Sequence, residues 1–289
     1  MQNYIVKNPK KKLTWNFSEV PPLLKWEGVH TVCEESACPN RAECSSMQTA
    51  TFLIGGKYCT RNCAFCLIEN GRPVPMEQII LTEKMEILKA VFDLNLKFAV
   101  ITSVTRDDDP ANLALHFREI SQSLRHMNIG VELLIPDFKA DRENLKIIGD
   151  GQPDVIAHNL ETIERLSQKI RPQASYKKSL EVLQYYRGQY PKMLLKTGFM
   201  VGLGETLPEI MQLMKDIFNA GADILTVGQY LQPGKTQVQV EKFYTEQEFE
   251  NLKNMAHEMG IKNVQSGYFT RSSYNAAAYA TRINPGETR

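Results

Sequence analysis

All six cysteines of this 289-residue chain fall between Cys33 and Cys66. They form two triplets: Cys33, Cys38 and Cys44 at C-x4-C-x5-C, then Cys59, Cys63 and Cys66 at C-x3-C-x2-C. Thiolates crowded in this way can converge on an inorganic centre, and two triplets suggest two centres. Four thiolates saturate a four-iron, four-sulfide cluster, whereas three leave one iron with an open position. An open iron can chelate a small molecule and pass it an electron, which makes the site catalytic and not merely a relay. Phe65, just before the last cysteine, would sit over whatever binds there.

Other uses of six thiols fit less well. Zinc sites favour paired C-x2-C knuckles, and only Cys63 and Cys66 have that spacing. The start Met1-Gln2-Asn3-Tyr4 lacks a charged residue followed by an apolar stretch, so no secretory signal is visible. That points to a reducing, cytoplasmic setting, where disulfides are rare. A ferredoxin-like carrier needs four ligands per cluster, and neither triplet supplies a fourth cysteine. No apolar run approaches the ~18 residues that span a bilayer. A formal net charge of +1 gives no electrostatic reason to propose nucleic acid.

The elements that must position the cysteines form a regular series. Residues 1 to about 30, with Lys7, Lys10, Lys11, Lys12, Trp15 and Pro21-Pro22, read as a solvated arm. Thr49 to Ile54 reads as a buried strand ended by Gly55-Gly56, so the second triplet lies on the loop leaving that strand. Thr82 is expected to cap a helix with an apolar face of Met85, Leu88, Val91 and Phe92. Further strands are expected at Phe98–Thr102, Val131–Ile135, Asp154–Ala157, Met193–Val201 and Asp223–Val227. Helices lie between them, and the helical stretch from Leu160 to about Tyr190 is split by Pro172. A last helix opens with the capping box Thr245-Glu246-Gln247-Glu248 and ends at Gly260, before a strand-like segment from Val264 to Phe269.

Six strands alternating with helices argue for a parallel, right-handed α/β array, two units short of a closed eightfold barrel. In such arrays chemistry collects at the C-terminal ends of the strands. The polar residues near those ends include Thr102, Ser103, Asn159, Gly202 to Glu205 and Gln229.

At Cys59-Thr60-Arg61-Asn62-Cys63-Ala64-Phe65-Cys66 the sequence resembles the signature of the radical S-adenosylmethionine (SAM) enzymes. The upstream Cys33-Glu34-Glu35-Ser36-Ala37-Cys38-Pro39-Asn40, continuing to Cys44, is similar to a narrower group, the lipoyl synthase family. The resemblance extends through Ile101–Val104, Leu134–Phe138, His158–Thr162, Gly202–Thr206, Gly228–Pro233 and Arg271-Ser272-Ser273-Tyr274. One departure stands out: after Arg106-Asp107-Asp108 the family usually has a glycine-rich turn, and here Asp109-Pro110-Ala111-Asn112 stands instead.

The resemblance implies a partial (β/α)6 barrel with cluster-binding extensions at both ends. The expected segments are 1–48, carrying the auxiliary triplet, 49–240, forming the barrel, and 241–289, holding the last helix and the Arg-Ser-Ser-Tyr motif. It further implies that Cys59, Cys63 and Cys66 hold a [4Fe–4S] cluster that cleaves SAM to a 5′-deoxyadenosyl radical. Cys33, Cys38 and Cys44 would hold a second [4Fe–4S] cluster, with Ser273 as fourth ligand and Ser272 as the alternative. That cluster would be consumed as the source of two sulfurs for C6 and C8 of an octanoyl chain on a lipoyl carrier domain. An electron-donor protein and a cluster-rebuilding protein are the other implied partners. Thr102, Ser103, Glu132, Asn159 and Lys196, near strand ends, are candidates for binding the amino acid or ribose of SAM. The alternatives are a different sulfur-inserting or methylthio-transferring radical SAM enzyme, and a non-catalytic zinc-binding interaction protein.

Overall fold

β-branched and aromatic runs recur between amphipathic helices, and the chain converts them into one sheet with a helical layer on its outer face. The structure, a computed structural model, describes residues 30–32, 47–273 and 276–278. The basic run Lys7, Lys10, Lys11 and Lys12, Trp15, Pro21-Pro22, the triplet Cys33, Cys38 and Cys44, and Tyr274 lie outside those residues.

The sheet follows chain order: β1 (His30–Thr31), β2 (Thr49–Ile54), β3 (Phe98–Ser103), β4 (Gly130–Leu134), β5 (Val155–Ala157), β6 (Leu194–Val201), β7 (Ile224–Gln229) and β8 (Asn263–Gly267). β1 lies antiparallel against β2, with His30 opposite Leu53; every later pair is parallel. β1 and β8 are the two ends of the order, and among the described residues the array stays open. The helices are α1 (Ile80–Asp93), α2 (Pro110–His126), α3 (Arg142–Gly149), α4 (Glu164–Ile170), α5 (Tyr176–Gln189), α6 (Leu207–Asn219) and α7 (Glu246–Glu258). No helix among the described residues is long and apolar enough to cross a membrane.

Strand alternation sorts the core into two faces. Ala50, Phe52 and Ile54, Ala99 and Ile101, and Val131 and Leu133 join Leu113, Phe117 and Ile120 of α2 in the main core beneath the helices. Phe98, Val100 and Leu134 form a separate cluster with Ala276 and Ala277. The chain therefore returns, near its C-terminal end, to the inner face of the array.

Two expectations change. The expected six strands become eight among the described residues: the strand-like segment expected from Val264 joins the sheet beyond β7 as Asn263–Gly267, and His30–Thr31 caps the opposite edge. α1 begins at Ile80, not at a Thr82 cap, and its buried residues are Glu83, Ile87, Ala90 and Val91, while Met85 and Phe92 are 55% and 75% exposed. The cause is Glu83, which turns inward to accept hydrogen bonds from Gly55 N at 3.0 Å and Gly56 N at 2.7 Å, with His116 Nε2 at 2.9 Å. Those bonds hold a turn whose two glycines have φ of 88° and 85°, where a side chain is strained. Where the sequence departs from the family's glycine-rich turn, Asp109-Pro110-Ala111-Asn112 starts a helix. Asp109 caps α2 by accepting from Asn112 N, with Pro110 in the first helical turn.

Candidate active site

The loop after β2 carries Cys59, Cys63 and Cys66, all free thiols and all partly buried. It is tied to neighbours along its length. Cys59 N donates to Glu69 O, Thr60 N to Thr105 O, Ala64 N to the last carbonyl of α4 at Ile170, and Cys66 N to Cys63 O. Asn62 N donates to Gln173 Oε1, Gln237 Nε2 donates to Cys66 O, and Val238 N donates to Ala64 O. The loops following β3, α4 and β7 thus fix one short segment, and Phe65 packs against the main core.

Main-chain donors also reach the sulfurs: Arg61 N and Thr105 N lie 3.4 Å from Cys59 Sγ, and Ile68 N lies 3.4 Å from Cys66 Sγ. Such donors favour thiolates and so suit metal ligation. Burial pushes the Cys63 thiol up to about 12, opposed by the cation of Arg171, while neighbouring Cys66, Cys59 and Glu161 add to the rise. Burial likewise pushes Cys66 up to about 11. Three thiols gathered with so little positive charge ask for a cationic centre among them. Among the described residues no group of three or more His, Cys, Asp or Glu is placed to hold a single metal ion. A cluster takes each thiolate on a separate iron, so the residues present fit that group.

Thr102 and Ser103 end β3, and His158 and Asn159 follow β5. Thr102 Oγ1 donates to Leu134 O at 2.8 Å, whereas Ser103 Oγ is buried without a partner. His158 Nδ1 lies 2.9 Å from Ile135 O and so carries the proton, leaving Nε2 as a buried acceptor with no donor. Burial, reinforced by Arg171, brings His158 down to about 4. Asn159 Nδ2 donates to Glu161 Oε1 at 3.0 Å, and its Oδ1 is buried and unpartnered. Gly198 of β6 makes room there, since a Cβ would lie 2.3 Å from Thr226 Oγ1 and 3.3 Å from Asn159 Oδ1. These orphaned polar atoms suit a polar ligand in the mouth of the array.

Glu132 and Lys196 meet each other. Lys196 Nζ donates to both Glu132 carboxylate oxygens, at 3.1 and 2.9 Å, and both side chains are 1% exposed. Gly202, at φ 102°, is packed tight, for a Cβ would lie 2.3 Å from Gln229 Nε2 and 2.5 Å from Lys242 O. Glu205 accepts from Gly202 N and Leu203 N, so this glycine turn is held by its own neighbours. Ser272 and Ser273 lie in a turn after Arg271, partly buried. Thr270 presses its carbonyl against β7, where a Cβ on Gly228 would be 2.2 Å away.

Sequence reasoning missed three groups. Arg61, inside the cysteine loop, is buried between Asp107 and Asp137. Phe138, Lys139 and Ala140 all have positive φ, at 44°, 53° and 58°. A run of three non-glycine residues there costs about 1–3 kcal/mol each, and such strain tends to collect at functional sites. Glu161, at φ 65°, sits close enough to raise two of the thiols. Only the motif around each was legible, because their roles depend on loops far apart in the chain.

The family model of the radical SAM superfamily matches residues 53–217. Lipoyl synthase of Rubrobacter xylanophilus is 45% identical over 262 residues, covering 90% of this chain and 81% of the relative. That of Caldicellulosiruptor bescii is 45% identical over 267 residues, covering 92% and 91%. Among solved structures, methylornithine synthase (PylB) superposes with a TM-score of 0.55 at 17% identity, covering 72% of this chain and 62% of that one. Streptococcus suis SuiB bound to S-adenosylmethionine gives 0.55 at 14%, covering 78% and 52%. Those two likenesses speak for the fold alone. Given the sequence identity over nine-tenths of its length, the chain belongs to the radical SAM superfamily and, within it, to the lipoyl synthases.

Proposed function

We propose that this enzyme inserts two sulfur atoms at C6 and C8 of an octanoyl chain borne on a lysine of a lipoyl carrier domain. Membership of the superfamily implies a [4Fe–4S] cluster and SAM. When bound, these supply an electron and a 5′-deoxyadenosyl radical, able to take hydrogen from an unactivated methylene as no side-chain acid or base can. The observation that carries the reading is the pairing of a preformed C-x3-C-x2-C loop with a second, C-x4-C-x5-C triplet in the same chain.

In this reading Cys59, Cys63 and Cys66 hold the radical-generating cluster. Phe65, Thr102, Ser103 and Asn159 position SAM beside it, and His158 Nε2 offers one more acceptor. The buried Glu132–Lys196 pair closes the inner face beneath, sharing its charges internally, so that a ligand above meets no naked charge. Cys33, Cys38 and Cys44, with Ser273 or its neighbour Ser272, hold a second cluster, the substrate that surrenders sulfur. The fold assists this by returning the chain after Ser273 to the inner face at Ala276. The proposed division is an auxiliary segment over 1–48, a barrel over 49–240 and a closing segment over 241–289. The proposed partners are an electron donor and a protein that rebuilds the spent cluster, in a cytoplasmic setting.

Anaerobic incubation with SAM, a reductant and an octanoyl-lysyl peptide, followed by mass analysis, tests this directly. Reconstituted protein is expected to hold about eight irons per chain, from two four-iron clusters. Cys63→Ala should abolish SAM cleavage, whereas Cys38→Ala should keep SAM cleavage and lose sulfur insertion. Zinc in place of iron, a methylthio product, or loss of both activities in a folded Cys38→Ala would overturn the reading.

A further inference from the structure

Between the first two cysteines of the loop lies a buried guanidinium, its side chain 4% exposed. Arg61 donates Nε to Asp107 Oδ2 at 2.7 Å and Nη2 to Asp107 Oδ1 at 2.9 Å. It donates Nη1 to Asp137 Oδ2 at 2.8 Å and Nη2 to Asp137 Oδ1 at 2.7 Å. Both pairings are bidentate, and they reach two different loops, one leaving β3 and the other leaving β4. Burial by itself disfavours the guanidinium's charge, and the hydrogen bonds to the two carboxylates outweigh it. Lys139 Nζ, 3.8 Å from Asp107, offsets part of the remaining negative charge.

The second jaw is delivered at a cost. Asp137 opens the left-handed run Phe138, Lys139 and Ala140, and its Oδ1 also accepts from Lys139 N at 3.0 Å. A strained turn persists only where its surroundings over-determine it. A parallel seam runs beside the guanidinium. Thr60 Oγ1 donates to Thr105 O at 2.9 Å, Asp107 N donates to Thr60 Oγ1 at 3.1 Å, and Thr105 N points at Cys59 Sγ. The guanidinium spends its hydrogen bonds on the two carboxylates, and only the main-chain N of Arg61 reaches a thiol, Cys59 Sγ at 3.4 Å. Arg61 fixes the peptide that carries Cys59 and the loop that donates to that sulfur.

Resting on the assignment of Cys59, Cys63 and Cys66 to a cluster, we propose that Arg61 is a positioning residue for that cluster. With Asp107 and Asp137 as its two jaws, it sets the Cys59–Cys63 turn against the β3 and β4 loops before iron arrives. A lysine cannot replace it, because a point charge on a flexible stem does not satisfy two planar carboxylates at once.

The test compares reconstituted wild type with Arg61→Gln, Arg61→Lys, Asp137→Asn and Cys59→Ala. The readouts are the rate of iron release to a chelator, the change in the reduced cluster's electron paramagnetic resonance on adding SAM, and folding by circular dichroism. Groups that orient metal ligands from behind cost about 10- to 100-fold in metal retention when lost. Arg61→Gln and Arg61→Lys are therefore expected to release one four-iron group about 10-fold faster or more, with the other group unchanged. Their SAM-dependent spectral change should weaken in step, and Asp137→Asn should move in the same direction. Asp137→Asn leaves the Asp107 jaw in place, so it carries the test where an Arg61 variant fails to fold. Release at the wild-type rate with an unaltered spectrum in folded Arg61→Gln, or in Asp137→Asn, would overturn the inference. A Cys59→Ala protein with wild-type iron content would instead sink the cluster assignment on which it rests.

Discussion

His158 shows how one side chain's role is set by what surrounds it. Its ring is 2% exposed, with Arg171, Asp137 and Arg61 as the charged groups bearing on it. Burial keeps it neutral, with its proton on the nitrogen facing Ile135 O. A histidine whose folded pKa lies near 4, below the ordinary 6.5, binds fewer protons folded than unfolded. Its contribution to stability is complete above about pH 6.5 and drains away as pH falls toward 4. Between pH 7.5 and 5.5 the unfolding free energy should drop by about 1 kcal/mol from this group. Urea titrations at the two pH values check this, and His158→Gln should flatten the difference; an unchanged slope in that variant would refute the assignment. Glu132 and Lys196 make the complementary point. Each is legible as a polar residue near a strand end, yet their separation by 64 positions hides that they meet. Lys196→Met should destabilise by about 3–5 kcal/mol by leaving a buried carboxylate unpaired. The double change Glu132→Leu with Lys196→Met should recover most of the loss, as thermal melts of the two variants would reveal.

At the scale of elements, the capping box at Thr245 and the break at Pro172 stand where the sequence puts them, whereas the Thr82 cap and part of the α1 face do not. Asp109, Asp141, Ser175 and Thr245 each accept from a backbone N–H in the first turn of the helix they open. Pro172 divides α4 from α5 as its chemistry requires. These signals are local and need nothing from the rest of the chain. On α1, Val91 is buried and Leu88 packs against the core as expected, but apolar spacing also selects Met85 and Phe92, which are exposed, and passes over Glu83, which turns inward. Phe92→Lys, on the exposed side, is expected to shift stability by no more than about 0.5 kcal/mol. Ile87→Ala, at 2% exposure, should cost about 2–5 kcal/mol. Comparable losses in the two variants would mean that the helix is rotated from the orientation described.

On the scale of the molecule, the C-terminal segment is bound into the inner face, where Ala276 packs with Phe98 and Val100. Ser272 and Ser273 precede it, so their position depends on that packing. Ala276→Phe should overpack the site by about 1–3 kcal/mol and lower iron from about eight to about four per chain if the second cluster uses a serine there. Iron analysis with a melting curve checks both. Retention of all iron in a destabilised Ala276→Phe protein would separate the serines from the cluster.

The sequence by itself determined the cysteine triplets, the alternation of strand and helix and the family, because spacing and periodicity are properties of neighbours along the chain. Tertiary structure alone decided that Glu132 and Lys196 neutralise each other and that Arg61 reaches two carboxylates on other loops. It also decided that His30–Thr31 joins the sheet as an antiparallel edge. The physical reason is common to all three. A charge or a backbone edge is satisfied by whatever lies nearest in space, and parallel strands in sequential order bring together loops 46 to 76 residues apart.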